Sequence, residues 1–214
     1  MGRTNTIRDQ MESFKRERIR DQAEKLFYEH GFSGTSMDAL AESLRATKPF
    51  VYGAYAKKTD ILFDIHMTVV QRTADALEAA HAASGTPSDK LALFARRLTE
   101  VTLSNQAAVA IFFREEVSIP PKQLRKINDL KGKIDDRLAA LLQSGIDGGE
   151  FHIADVRVAA LAIGGMISWA YTWYRANGRL DIATIGTHMA DYALRMAGAP
   201  VPAPAPANRP VPAP

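Results

Sequence analysis

Between Thr35 and Leu62 the chain reads T-S-M-D-A-L-A-E-S-L-R-A-T-K-P-F-V-Y-G-A-Y-A-K-K-T-D-I-L, and few folds can accommodate that order of signals. Thr35 is placed to cap a helix, and Asp38 stands three residues on, where a carboxylate favours a helix start. Met37, Leu40, Ala41 and Leu44 recur at helical spacing, so a short helix ends near Ser43. Ala41 is small where a second helix has to cross. Thr47 can cap again, and Pro49 falls in a first turn, where its missing N–H costs nothing. Two short helices joined by a tight turn make a helix-turn-helix, the arrangement that lays its second helix into the DNA major groove.

The rest of the chain is helical in pattern too. Ile19, Ala23, Leu26 and Phe27 mark a first helix stopped by Gly31. A long helix starts at Lys58 and carries Leu62, Ile65, Val69, Thr73 and Leu77 before fading by Ser84. Ser88 is the expected cap of the next, and a helix from about Ala107 to Val117 stops before Pro120-Pro121. Leu124, Ile127, Ile134, Leu138 and Leu141 continue to Gly145. Asp155 caps an apolar helix drawn through Tyr174, and Asp181 caps the last. No alternating strand pattern occurs, so the fold class is all-α.

Net charge is only +3 and cysteine is absent, which excludes disulfides, thiolate metal sites and cysteine nucleophiles. No apolar run approaches the ~18 residues of a membrane span, and no secretory signal opens the chain. A cytoplasmic protein with no membrane contact is expected. Glu78-x-x-His81 has the spacing of a di-iron bundle ligand pair, but no second copy exists. His66 beside the apolar stripe reads as a hydrogen-bonded structural histidine. No catalytic residue, metal ligand or cofactor is assigned.

The helix-turn-helix, with A-E-K-L-F-Y-E-H-G-F-S-G-T-S before it and K-K-T-D-I-L after it, resembles the DNA-binding domain of the TetR family of bacterial transcriptional regulators. The likeness runs through Leu62 without a gap. It departs at Arg45, where the family usually has glycine, and at Tyr52-Gly53-Ala54-Tyr55, which replaces a run of three aromatics and a histidine. The resemblance implies a three-helix N-terminal head and a larger C-terminal helical domain for ligand binding and dimerisation. The divisions follow as a basic flexible arm over 1–11, the head over 12–60, the sensor and dimerisation domain over 61–197, and a disordered Pro/Ala-rich tail over 198–214.

Residue by residue, the resemblance puts Thr47, Lys48, Pro49, Phe50 and Tyr52 at DNA, with Thr35 and Lys58 at phosphates. Lys48 can donate to a guanine edge, while Pro49 and Phe50 press on a thymine methyl. Val51 and Tyr55 are expected to pack the head. In the larger domain Phe112, Phe113, Met166, Trp169 and Trp173 are the expected lining of an effector pocket, although aromatic stripes also serve as plain core. Gly164, Gly165, Ser168, Ile185, Met189 and Tyr192 are the expected homodimer interface. The implied partners are a double-stranded palindromic operator and a small hydrophobic effector. The run S-W-A-Y-T-W-Y-R-A-N-G-R-L is similar to regulators that sense acyl-CoA thioesters. A structural DNA-binding protein without a ligand, or a helical-bundle metal enzyme, is the alternative.

Overall fold

The computed structural model describes residues 6–200. Among these, nine α-helices follow one another with two short 3-10 turns, and no strand forms. Helix α1 (Ile7–His30) begins earlier than expected. The Thr6 hydroxyl accepts from the Asp9 amide, and the Asp9 carboxylate accepts from the Thr6 amide at 3.1 Å. That reciprocal cap satisfies two first-turn donors, so residues 7–11 are helical rather than part of a loose arm. The rest of the expected arm, 1–5, and the expected tail from 201 onward lie outside the described residues. Ile19, Ala23 and Phe27 are buried on one face of α1, and Gly31 ends it at a positive φ.

Helix α2 (Met37–Ser43) is capped by Ser36, whose hydroxyl accepts from the Ala39 amide at 3.0 Å. Thr35, the expected cap, turns its hydroxyl inward instead. The turn into α3 (Lys48–Tyr52) passes through Arg45 at φ +51, the one non-glycine in the left-handed region among the described residues. Two backbone bonds hold it there, from the Arg45 amide to Glu42 and from the Ala46 amide to Ala41, each 2.9 Å. This closure takes the place of the glycine that the turn geometry favours.

Helix α4 (Lys58–Ala82) carries a long buried face of Ile61, Leu62, Ile65, His66, Val69, Val70, Leu77 and Ala80. It is flanked by α5 (Pro87–Ser104), α6 (Gln106–Glu115) and α7 (Pro121–Asp147). Thr86, not Ser88, caps α5: Pro87 occupies the first turn, and Thr86 and Asp89 form a second reciprocal cap. The Ser88 amide donates to Glu150 instead, at 3.0 Å. Helix α8 (Val156–Ser168) ends six residues short of Tyr174, because the chain tightens into a 3-10 turn over Trp169–Thr172. Helix α9 (Ile182–Met196) lies along α5, and Gly186 lets it approach the Arg96 backbone. A single apolar core runs from Ile19 to Ala197. Among the described residues no helix is long and apolar enough to cross a membrane.

The left-handed Arg45 gives a direct stability test. Arg45→Val places a β-branched residue where such side chains clash, and should cost about 1–2 kcal/mol in urea denaturation. Arg45→Gly should be neutral or stabilising by up to about 1 kcal/mol. A valine variant as stable as the parent would mean that the turn is not held at positive φ.

Candidate nucleic-acid interface and effector cavity

The head presents one end of α3 outward. Thr47, Lys48, Pro49 and Tyr52 are exposed, whereas Val51 and Tyr55 are buried. Phe50 is half-buried, with the Lys15 ammonium 4.8 Å from its ring centre. Lys48 reaches back to the Asp38 carboxylate at 2.6 Å, and that bond raises its pKa. An exposed pair of this kind contributes little stability, but it fixes where the ammonium points.

Two residues expected at phosphates are committed inside the protein. The Thr35 hydroxyl donates to the carbonyls of Gly31 at 3.0 Å and Leu26 at 3.3 Å. The Lys58 ammonium donates to the carbonyls of Phe32 at 2.5 Å and Thr35 at 2.7 Å, over the Phe32 ring. Burial lowers its pKa. Both groups close the α1–α2 loop onto α4. Arg16, which no sequence pattern singles out, locks the same region. It donates to the Ala54 carbonyl at 2.9 Å, covers the Tyr55 ring, and lies 3.6 Å from Asp64, to which the Tyr55 hydroxyl also donates.

In the larger domain a partly open cavity of about 330 Å³ lies between α4, α5, α6, α7 and α8. Its wall is apolar: Val69 and Val70, Phe94 and Leu98, Val109, Ile134, Leu138 and Ala160. Of the five side chains expected here, Phe112 and Phe113 line it. Met166, Trp169 and Trp173 do not; Trp169 and Trp173 are 58% and 49% exposed on the outer surface. The reason is helical geometry. Ala160, Gly164 and Ser168 recur every four residues and face the cavity, so Met166 is turned elsewhere and packs against the core. Trp169 and Trp173 belong to or follow the 3-10 turn, which breaks the expected common face.

The expected interface set is likewise divided. Gly164, Gly165 and Ser168 line the cavity, and Ile185 and Met189 are buried within this chain. Tyr192 alone of the six is a large exposed side chain, at 50%. Exposed apolar residues not anticipated, Val158, Leu161 and Met196, lie on the same two helices, with Trp169 and Trp173 just beyond α8.

Helix α6 joins cavity and head. Phe112 and Phe113 face the cavity, while the Arg114 guanidinium covers the Tyr28 ring of α1 at 5.2 Å. His66 bridges α4 to α6: its Nδ1 lies 2.9 Å from the Leu62 carbonyl and its Nε2 3.2 Å from that of Phe112. Burial pushes the imidazole pKa down, against the two carbonyls that favour the charged form. Glu78 of the Glu-x-x-His pair is held by Arg137 in a two-pronged ion pair at 3.0 and 3.2 Å. No cluster of three potential metal ligands occurs among the described residues.

Comparison with known proteins agrees with this layout. The family model described as bacterial regulatory proteins, tetR family, matches residues 19–65. The one described as tetracyclin repressor-like, C-terminal domain, matches 84–197. Among solved structures, PfmR of Thermus thermophilus, a TetR family transcriptional regulator, is 26% identical with a TM-score of 0.77, covering 83% of this chain and 97% of its own. A regulatory protein of the same family from Rhodococcus RHA1 is 24% identical with a TM-score of 0.81, covering 87% and 98%. AibR, solved with isovaleryl coenzyme A and operator DNA, is 24% identical with a TM-score of 0.74, covering 83% and 97%. No curated protein matches significantly.

His66 makes stability depend on pH. Its folded pKa lies below the unfolded value of about 6.5, so the stability it contributes is complete above that value. That stability is lost as pH falls through the folded pKa. The melting temperature should drop between pH 7.5 and 5, and less steeply in His66→Gln. Equal slopes would exclude His66 as the titrating group.

Proposed function

The chain belongs to the TetR family of bacterial regulatory proteins, and from that premise we propose that it is a homodimeric transcriptional repressor, released from a palindromic operator by a hydrophobic small molecule. The observation that carries this reading is the pairing of an outward-facing α3 with an apolar cavity, joined by α4 and α6. Lys48 reads a guanine edge after leaving Asp38, Pro49 and Phe50 meet a thymine methyl, and Tyr52 donates to a phosphate. Thr47 lies at the same surface. Thr35 and Lys58 act by positioning the loop ahead of α2 rather than by touching DNA. The protein works where the chromosome is, in the cytoplasm.

A single reading helix covers few base pairs, so two copies are needed to read a palindrome. The subunit contact is the exposed apolar surface of α8, the turn after it and α9, formed by Val158, Leu161, Trp169, Trp173, Tyr192 and Met196. Large apolar side chains left exposed on neighbouring elements fit an association site. Effector release follows by population shift, since a ligand that binds one conformer better moves the equilibrium towards it. A coenzyme A thioester is a second reading of the effector, favoured by the ligand of AibR. A structural DNA-binding protein without a ligand is the rival. It would lose no operator affinity to any compound.

Lys48→Ala with Tyr52→Ala should weaken operator binding by about 2–5 kcal/mol and flatten its salt dependence. Unchanged affinity and salt slope in the double variant would remove α3 from the reading role. Val158→Asp or Tyr192→Asp should give monomers in sedimentation, with operator affinity falling alongside, because a charge would be buried in the contact. Variants that stay dimeric would place the subunit contact elsewhere.

A further inference from the structure

The chemistry of the molecule that fills the cavity is written on one wall, a reading that rests on the effector role given to the cavity above. Helix α7 presents Lys131 and Asp135 there, one turn apart. Among the described residues they are the only charged groups of the lining, and they are not equivalent. The Lys131 ammonium lies 3.5 Å from a Glu116 carboxylate oxygen and over the Phe112 ring, so its charge is already answered. Among the described residues, the Asp135 carboxylate has no ion-pair partner and accepts no hydrogen bond. The other cation that acts on it is held elsewhere: Arg157 pairs with Asp136 at 3.0 Å. The cavity therefore carries on its apolar wall a carboxylate that has no direct ion-pair partner, with the Lys131 charge one turn away.

Leaving a half-buried carboxylate unpaired is unfavourable, and a cation held against it would remove that cost. Burial raises the Asp135 pKa, and the nearby Lys131 charge acts against that rise. We infer that the cavity takes a hydrophobic amine, with its apolar body against Phe112, Val69 and Leu138 and its protonated nitrogen paired with the Asp135 carboxylate. Its volume, about 330 Å³, lies at the small end of ligand sites, which suits a medium-length alkyl or compact ring system. A coenzyme A thioester has the opposite requirement. Its phosphates need free cations at the mouth, and the lining offers only Lys131, already facing Glu116. Arg96, Arg97, Arg114, Arg175 and Arg179 are absent from that lining.

Calorimetric titration of the full chain with octylamine, octanol, octanoate and octanoyl-CoA tests this. Octylamine should bind about ten- to hundredfold more tightly than octanol, the range of a hydrogen bond to a charged group. Octanoate should bind more weakly than octanol. Asp135→Asn should bring octylamine to the octanol level without changing octanol itself. Gly164→Leu locates the site: a side chain there enters open space, so it fills the cavity, preserves the fold and abolishes octylamine binding. Tighter binding of octanoate or octanoyl-CoA than of octylamine would overturn the inference. So would an octylamine preference that survives Asp135→Asn, or octylamine binding that survives Gly164→Leu. If all four probes bind alike, the cavity remains an effector site and only its charge preference falls. If none binds to a chain that still holds its operator, the effector role fails and this inference with it.

Discussion

Helix α4 serves two ends of the molecule at once, anchoring the head near its start and forming cavity wall further along. Near its start, Lys58 holds the loop ahead of α2, while Asp64 receives the Tyr55 hydroxyl and faces Arg16 of α1. Burial and the neighbouring carboxylate hold the Tyr55 phenol well above its ordinary pKa, so it remains a donor. Further along the same rod, Val69, Val70 and Thr73 form cavity wall. From Asp64 to Thr73 is about 14 Å of helix at 1.5 Å per residue. Close packing along that length leaves little free volume to absorb a displacement locally.

The second connection, α6, runs by a different kind of contact. Its aromatic pair meets the cavity, and Arg114 stacks on Tyr28 near the end of α1. His66 ties the two routes together, since both its nitrogens approach carbonyls and one of these belongs to Phe112. A neutral ring has a single N–H and can donate to only one of them. The bridge between α4 and α6 is thus polar and buried, and a neutral ring shares a proton with one of its two carbonyls.

The head is legible in the sequence because its signals are local. Pro49 in a first turn, Gly31 at a helix end and the apolar spacing around Leu40 act within a few residues of themselves. The capping differences are local as well: Thr6 with Asp9 and Thr86 with Asp89 repeat one reciprocal pattern, and Ser36 outcompetes its neighbour Thr35. The inward bonds of Thr35 and Lys58 are not legible in the sequence, because their partners are carbonyls at and after the end of α1, which no residue pattern displays. The cavity is hidden for a deeper reason. Large side chains look like its signature, yet a cavity is missing volume. Its α8 wall includes Ala160, Gly164, Gly165 and Ser168, and the last three are residues that the sequence assigns to a subunit contact. Asp135 has no sequence signal at all, since it joins the lining only when helices distant in the chain pack together.

This exchange of roles on α8 has a thermodynamic consequence. The small residues of its inner face bound the cavity, and Leu161 both lines that cavity and is 60% exposed. At the edge, Phe113 of the cavity stacks on Tyr171 at 5.4 Å and meets Trp169 edge-on at 6.5 Å. One aromatic cluster therefore spans the cavity lining and the outer surface proposed to meet a second subunit. Filling the cavity and covering the outer face act on the same short helix and the same rings. In such an arrangement, the free energy of effector binding depends on whether the partner is present, and by linkage the partner's affinity depends equally on the effector. Operator reading requires two heads at a fixed separation, so a shift of α8 against its partner alters that separation without any change inside the head. The coupling then needs no dedicated wire between effector and DNA. On the proposed reading, it follows from building the cavity wall and the subunit contact out of one helix.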